Sequence, residues 1–325
     1  MRSARRVGGA RPGHARNATA KSSRLSALRT VPSQGAGWGC SAGAGRRAQG
    51  RGTLSVTRAA ELEAILFDCD GVILESEDLH REAYNMAFTK FSLQIDGEQV
   101  EWSEAFYDIL QNTVGGGKPK MRWYFRQHLG KWPSQQGGEI PPPETEEAEE
   151  SLVDELQDYK SAAYRDLVAN VAITRPGVLR LMDEARKAGI YVAVCSAATK
   201  ASVVFTLNNL LGTEAFEQLD CFLGGSDVSK LKPDPEIYLT AVKKLNVDAS
   251  KCVVIEDSIV GLKAALGAEM DCVITYTKST ANEAFEGAKL IVSDMGEDSN
   301  PKVTLKELLK IKTEGGVVDD RVVNT

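Results

Sequence analysis

Ala64-Ile65-Leu66-Phe67-Asp68-Cys69-Asp70-Gly71-Val72 decides how the rest of the chain is read. An apolar run ends in a carboxylate, a second carboxylate follows two positions on, and a glycine comes next. A short, wholly apolar run of this kind marks a strand buried on both faces, as in a parallel sheet. Ligands of open α/β sheets bind beyond the carboxyl ends of the strands. Asp68 is therefore expected at that edge, with Asp70 just past it on a turn that Gly71 permits. Two carboxylates so close repel, so one keeps a proton or both share a cation. Such a pairing serves chemistry better than packing.

Downstream of Arg175-Pro176-Gly177 the same kind of run recurs in regular alternation with helical periodicity. Strands are expected at 190–195, 221–223, 252–255, 272–275 and 290–292, with helices between them and a last helix over 303–312. Such alternation calls for a parallel sheet wrapped by helices. The stretch 79–173 lacks it. Leu152, Leu156, Tyr159, Ala163 and Leu167 follow a helical spacing, 131–150 reads as a loop, and no convincing strand is present. The expected organisation is a core of 61–78 and 174–312, an inserted helical domain of 79–173 and a loose tail over 313–325. Ser76 to Asp78 are expected to supply the cap of the first inserted helix.

Charge divides the chain differently. Of its 39 Lys and Arg, twelve lie in residues 1–60, which hold no Asp or Glu; all 45 acids lie beyond. The leader has the composition of an organellar transit peptide, the plainer reading being a disordered basic tail, and composition alone does little to separate plastid from mitochondrion. The acidic body argues against nucleic acid as a partner. No apolar run nears the ~20 residues of a membrane span, so no membrane partner is expected either. The six cysteines form no CxxC pair and mostly sit in or beside apolar runs, which suggests reduced thiols, with neither a disulfide framework nor zinc.

Further polar residues stand at the other strand ends. Ser196 follows the second strand, Lys232 lies in Lys230-Leu231-Lys232-Pro233-Asp234-Pro235, and Glu256-Asp257-Ser258 follows the fourth. Each has a plainer reading alone: a turn residue, a solvated lysine, acids at a helix N-terminus. Together, DCDGV, VCSAAT, KPDP and VIEDS in this order resemble the haloacid dehalogenase superfamily of phosphohydrolases over about 62–295. The resemblance implies a Rossmann-like parallel-sheet core with an inserted helical cap of the C1 type. It implies Asp68 as nucleophile, forming an aspartyl-phosphate, and Asp70 as general acid and then base. It further implies Ser196 and Lys232 on the phosphoryl group, and Mg2+ held by Asp68, the Asp70 carbonyl, Glu256 and Asp257. True haloacid dehalogenases lack the second aspartate, so Asp70 favours phosphate chemistry over carbon–halogen cleavage.

An insert directly after the first strand resembles the cap of the β-phosphoglucomutase-like branch, which closes over the site. In this light Gly115-Gly116-Gly117-Lys118-Pro119 reads as an anion-reaching loop, with Lys118, Arg122 and Arg126 spaced by four along one helix face to hold a second phosphate. Glu75 and His80 match positions that contact the sugar or the cap hinge, and Ala197 joins the substrate set beside Ser196. Trp123, Tyr124 and Phe125 are expected in the cap core. VGGGK, RPGV and AVCSA bring the chain closest to plant and algal CbbY-like proteins. Its LKPDP, where KKPDP is usual, and its AALGAEM depart from them. The resemblance implies a phosphatase of a small sugar phosphate, with xylulose 1,5-bisphosphate as the candidate and the chloroplast stroma before the mitochondrion as its place; a monomer is the separate expectation. A phosphomutase would use the same residues, and a binding protein with a relic site is the remaining alternative. Cys69, between two carboxylates, suggests a site whose oxidation would impair the enzyme.

Overall fold

The apolar run forms a strand, β1 (Ala64–Phe67), each of its residues buried. The computed structural model describes residues 62–299, 302–314 and 318–323. The transit-peptide expectation falls outside them. After β1 the chain leaves the sheet through α1 (Glu77–Lys90), a two-strand ribbon β2 (Gln94–Ile95) and β3 (Glu98–Gln99), α2 (Glu104–Thr113), α3 (Gly117–Arg122) and α4 (Glu146–Asn170). It returns through α5 (Val178–Lys187) to β4 (Tyr191–Cys195), then α6 (Lys200–Leu211), α7 (Thr213–Glu217) and β5 (Cys221–Leu223). The remainder is α8 (Glu236–Leu245), β6 (Cys252–Glu256), α9 (Ile259–Gly267), β7 (Asp271–Thr275), β8 (Leu290–Val292), α10 (Leu305–Glu314), β9 (Val318–Asp319) and α11 (Asp320–Val323).

All seven core strands pair in parallel, in the order β5-β4-β1-β6-β7-β8-β9. β1 lies between β4 and β6, with Phe67 opposite Val194 on one side and Ile255 on the other. Alternate residues feed two cores. Ile65, Phe67, Val194 and Ile255 pack with α5, α6 and α10, while Leu66, Ala193, Val254 and Ile274 pack with α8 and α9. Burial on both faces is why these strands carry no polar alternation. The connection from β5 crosses back past β4 and β1 to β6, so the strand order reverses about β1, where open α/β sheets bind their ligands.

The insert has its own core. Tyr84, Phe88, Trp102, Leu110, Met121, Phe125, Leu152 and Leu156 are buried together, with Trp123 and Tyr124 packed on its margin. A smaller apolar cluster joins insert to core, with Tyr164 and Val168 of α4 against Phe205 and Leu210 of α6. Two expectations need correction. The insert does contain strands: the β2–β3 ribbon and bridges from Gln94 to Ser134 and from Gln135 to Ile140, within the stretch read as a loop. These segments are two residues long or single bridges, too short to show an alternating pattern. The tail past 313 is not wholly loose either. β9 adds an edge strand to β8, and the Asp320 carboxylate accepts from the Ser293 N–H at 2.9 Å and the Tyr276 hydroxyl at 3.1 Å. An otherwise open edge on β8 supplies the partner that the tail sequence alone does not reveal.

Candidate active site

Four strand ends meet beside β1. Lys232, on the loop after β5, directs its ammonium to Asp68 Oδ1 at 2.5 Å, Glu256 Oε1 at 2.6 Å and the Cys195 carbonyl at 2.9 Å. Its side chain is 5% exposed. The Tyr238 hydroxyl of α8 donates to the same Glu256 oxygen, and the Tyr238 ring lies 5.0 Å from the ammonium. Oxygens of Asp68, Glu256 and Asp257 all fall within 4.8 Å of one another. Ser196, at the end of β4, is buried, and its hydroxyl with that of Ser76 favours the charged form of Asp70. The sequence-derived set Asp68, Asp70, Ser196, Lys232, Glu256 and Asp257 is thus one constellation.

Its electrostatics are those of crowded anions. Burial pushes the Asp68 carboxyl up, and Lys232 pulls it back only in part. Burial also raises Asp70. Asp257 is driven well above the carboxylate range, first by burial and then by the charges of Glu256 and Asp68. Lys232 goes the other way: the two carboxylates outweigh its burial and raise it. Three buried carboxylates with one balancing lysine form a hard-oxygen donor set that a divalent cation would relieve. The turn is tight against them. Gly71 has φ +80°, and a side-chain carbon there would fall 2.0 Å from an Asp257 oxygen.

The expected substrate contacts divide. Ala197 is exposed at the end of β4 beside Ser196. Glu75 is exposed and lines a cavity of about 350 Å3 outside the hinge, with Leu79, Ile173 and Asp294. Lys118, Arg122 and Arg126 do not form a free basic face. Lys118 pairs with Asp154 at 2.7 Å, Arg122 Nε donates to both Glu150 oxygens at 2.7 and 2.9 Å, and Arg126 Nε donates to Glu149 at 2.6 Å. The acidic start of α4 neutralises the helix that the spacing had marked as an anion site. Gly117 brings α3 against α4, where Gln157 fills the space a side chain there would need, while Gly116 faces only Pro119 of α3.

His80 lies in a different cluster. Its ring stacks on Tyr164 with centroids 4.0 Å apart, and its Nδ1 is 2.8 Å from the ammonium of Lys160. Burial, then the positive charges of Lys160 and Lys120, hold the imidazole well below its usual range, hence neutral near pH 7. Lys160 is buried beside the rings of Tyr84 and Tyr164, and burial lowers its ammonium to about 8. Glu77 is pushed up to about 7 by burial and by Asp70. Lys160, Lys120, Glu77 and Tyr238 were missed in the sequence. Lys160 had a signal: it stands four residues after Leu156 and three before Ala163, a charge on the apolar stripe of α4. Tyr238 had none. Ser76, expected to cap α1, makes no capping bond and instead lies buried at Asp70. Cys69 is buried, and burial raises its thiol well above the usual range, which disfavours the reactive thiolate and the oxidation expected there. Cys195, Cys252 and Cys272 are buried free thiols as well.

The chain is similar to known proteins. The family model for haloacid dehalogenase-like hydrolase matches residues 62–269. A haloacid dehalogenase-like hydrolase domain-containing protein of Arabidopsis thaliana is 50% identical over 251 residues, 76% of this chain and 77% of that protein. A CBBY-like protein of the same plant is 37% identical, covering 74% of this chain and 72% of its own. The crystal structure of a CbbY mutant from Rhodobacter sphaeroides in complex with xylulose-(1,5)bisphosphate superposes with a TM-score of 0.57 at 30% identity, covering 73% of this chain and 96% of that one. With a seven-stranded parallel sheet, a helical insert after β1 and acids at the strand ends, the chain belongs to the haloacid dehalogenase-like hydrolase family, among the CbbY-like proteins.

Proposed function

We propose that the protein is an Mg2+-dependent phosphatase of small sugar phosphates that works through Asp68. The supporting observation is the meeting of Asp68, Asp70, Ser196, Lys232, Glu256 and Asp257 at neighbouring strand ends. Asp68, Glu256 and Asp257, with the Asp70 carbonyl, would hold the cation, which when bound offsets the repulsion between carboxylate and phosphate.

An Asp68 oxygen attacks phosphorus and the bond to the sugar oxygen breaks, leaving phosphate on Asp68. Asp70 gives its proton to the departing oxygen, a role suited to a carboxyl that burial keeps more readily protonated. Water then attacks the phosphorus as Asp70 takes its proton, and inorganic phosphate leaves. Lys232 and Ser196 supply charge and a hydrogen bond to the phosphoryl oxygens. Tyr238 and Glu256 fix the lysine in place.

Xylulose 1,5-bisphosphate is the candidate substrate, on the strength of the CbbY complex. The basic, acid-free leader and the plant relatives support a chloroplast address. The test is phosphate release by the full chain with Mg2+ across pentose bisphosphates, hexose phosphates and phosphoglycolate. Asp68→Asn should abolish release while circular dichroism stays unchanged. Full turnover by that variant would overturn the nucleophile.

A further inference from the structure

Arg175 heads the return from the cap, and its guanidinium is buried with, among the described residues, no carboxylate at hydrogen-bond distance. One arm donates to the carbonyls of Gly71 and of Thr275, the latter at 2.8 Å. The other donates to the carbonyls of Tyr276 at 2.9 Å and Ser293 at 2.6 Å. Its own N–H donates to the Ile73 carbonyl at 2.9 Å. One residue thus joins both cap linkers to the ends of β7 and β8. A buried guanidinium is costly, and a packed apolar residue would fill the space without that cost. Its five donors in a rigid fork do what an apolar residue cannot: they fix several peptide planes at once.

The plane that matters is at Gly71. Its N–H donates to the Leu74 carbonyl at 2.7 Å, and its carbonyl accepts from Arg175, so both peptides flanking Gly71 are held. The N–H of Gly71 belongs to the same peptide as the Asp70 carbonyl. Holding that peptide therefore sets the direction of the carbonyl and the starting point of the Asp70 side chain. Asp257 leaves the turn no slack on the opposite side.

We propose that Arg175 is a positioning residue that acts through Asp70: it holds the Asp70–Gly71 turn in the geometry for proton transfer to the leaving oxygen. This rests on the phosphatase reading for the role of Asp70, and on geometry alone for the turn. A leaving group that needs a proton should feel the loss of Arg175, and one that departs without a proton should not.

The experiment measures kcat/KM of the wild-type full chain and of Arg175→Lys on a sugar phosphate and on p-nitrophenyl phosphate, both with Mg2+. Arg175→Lys keeps the charge and at most three donors. Its kcat/KM should fall about 100-fold on the sugar phosphate, the scale of general acid catalysis, and by less than about threefold on the aryl ester. General loss of structure would depress both alike, and an equal fall overturns the proposal. Hydrogen exchange is the second readout. The amides of Gly71 and Leu74 should exchange at least about tenfold faster in the variant, with those of Phe67 and Val254 unchanged. Unchanged exchange at Gly71 and Leu74 also overturns the proposal. Arg175→Gln, neutral with two donors, repeats the test and should give the same ordering with a larger fall. If the wild type releases phosphate from neither ester, the phosphatase reading fails, and exchange at the turn still decides what Arg175 holds.

Discussion

Lys232 and Lys160 are both buried, and their surroundings send them in opposite directions. Lys232, at the strand ends, lies against Asp68 and Glu256, and their charges outweigh burial. Lys160, in the cap, faces a neutral His80 and two tyrosine rings, and burial wins. Burial penalises an ammonium in both places; only the partner differs. The first lysine is a fixed positive charge, while the second is poised to give up its proton near pH 8. Lys232 is therefore held in its charged form, while Lys160 is placed to shed its charge.

The contrast is broken most severely at Lys232. Lys232→Met leaves two buried carboxylates facing each other, and removing one partner of a buried pair costs about 3–5 kcal/mol. Urea denaturation should register that loss, with phosphate release falling at least about 1,000-fold. An intermediate effect is expected at Lys160. Its folded value lies below the ordinary 10.5, so the unfolded chain binds the extra proton between about pH 8 and 10.5. Its contribution should then make stability rise with pH across that window and stay flat below it. Lys160→Met should remove the rise and stabilise the protein at pH 7 by on the order of 2 kcal/mol. A pH slope identical in wild type and variant would erase the contrast.

Gly71→Ala sharpens it from the other side. The added carbon meets the Asp257 carboxylate, and φ +80° strains any side chain. A loss of about 1–2 kcal/mol is expected, with weaker Mg2+ binding by calorimetry. The smallest effect belongs to the ion pair between Lys278, after β7, and Glu104 of α2, which links core to cap in the open. Lys278→Ala should leave the urea denaturation midpoint essentially unchanged.

The core was legible in the sequence because burial on both faces writes itself as short apolar runs, and because the site is a few polar residues at the ends of those runs. Asp68, Asp70, Ser196, Lys232, Glu256 and Asp257 needed no more than that and the order of their motifs. The cap was less legible because helical spacing shows which residues share a face but not what lies opposite. Lys118, Arg122 and Arg126 do share a face, and Asp154, Glu150 and Glu149 lie against it from a helix about thirty residues away in sequence. Lys160 was hidden by the opposite error, a charge passed over because it sat in an apolar stripe. Arg175 was visible only as the first letter of a turn, since four acceptors spread over two hundred residues leave no local trace.

The cap leaves the sheet and comes back at nearly one point, where the Arg175 N–H meets the Ile73 carbonyl at 2.9 Å. An insert whose two ends touch makes almost no demand on the framework that carries it. The insert can be exchanged, lengthened or rebuilt by evolution or by an engineer, while the groups at the strand ends keep their places.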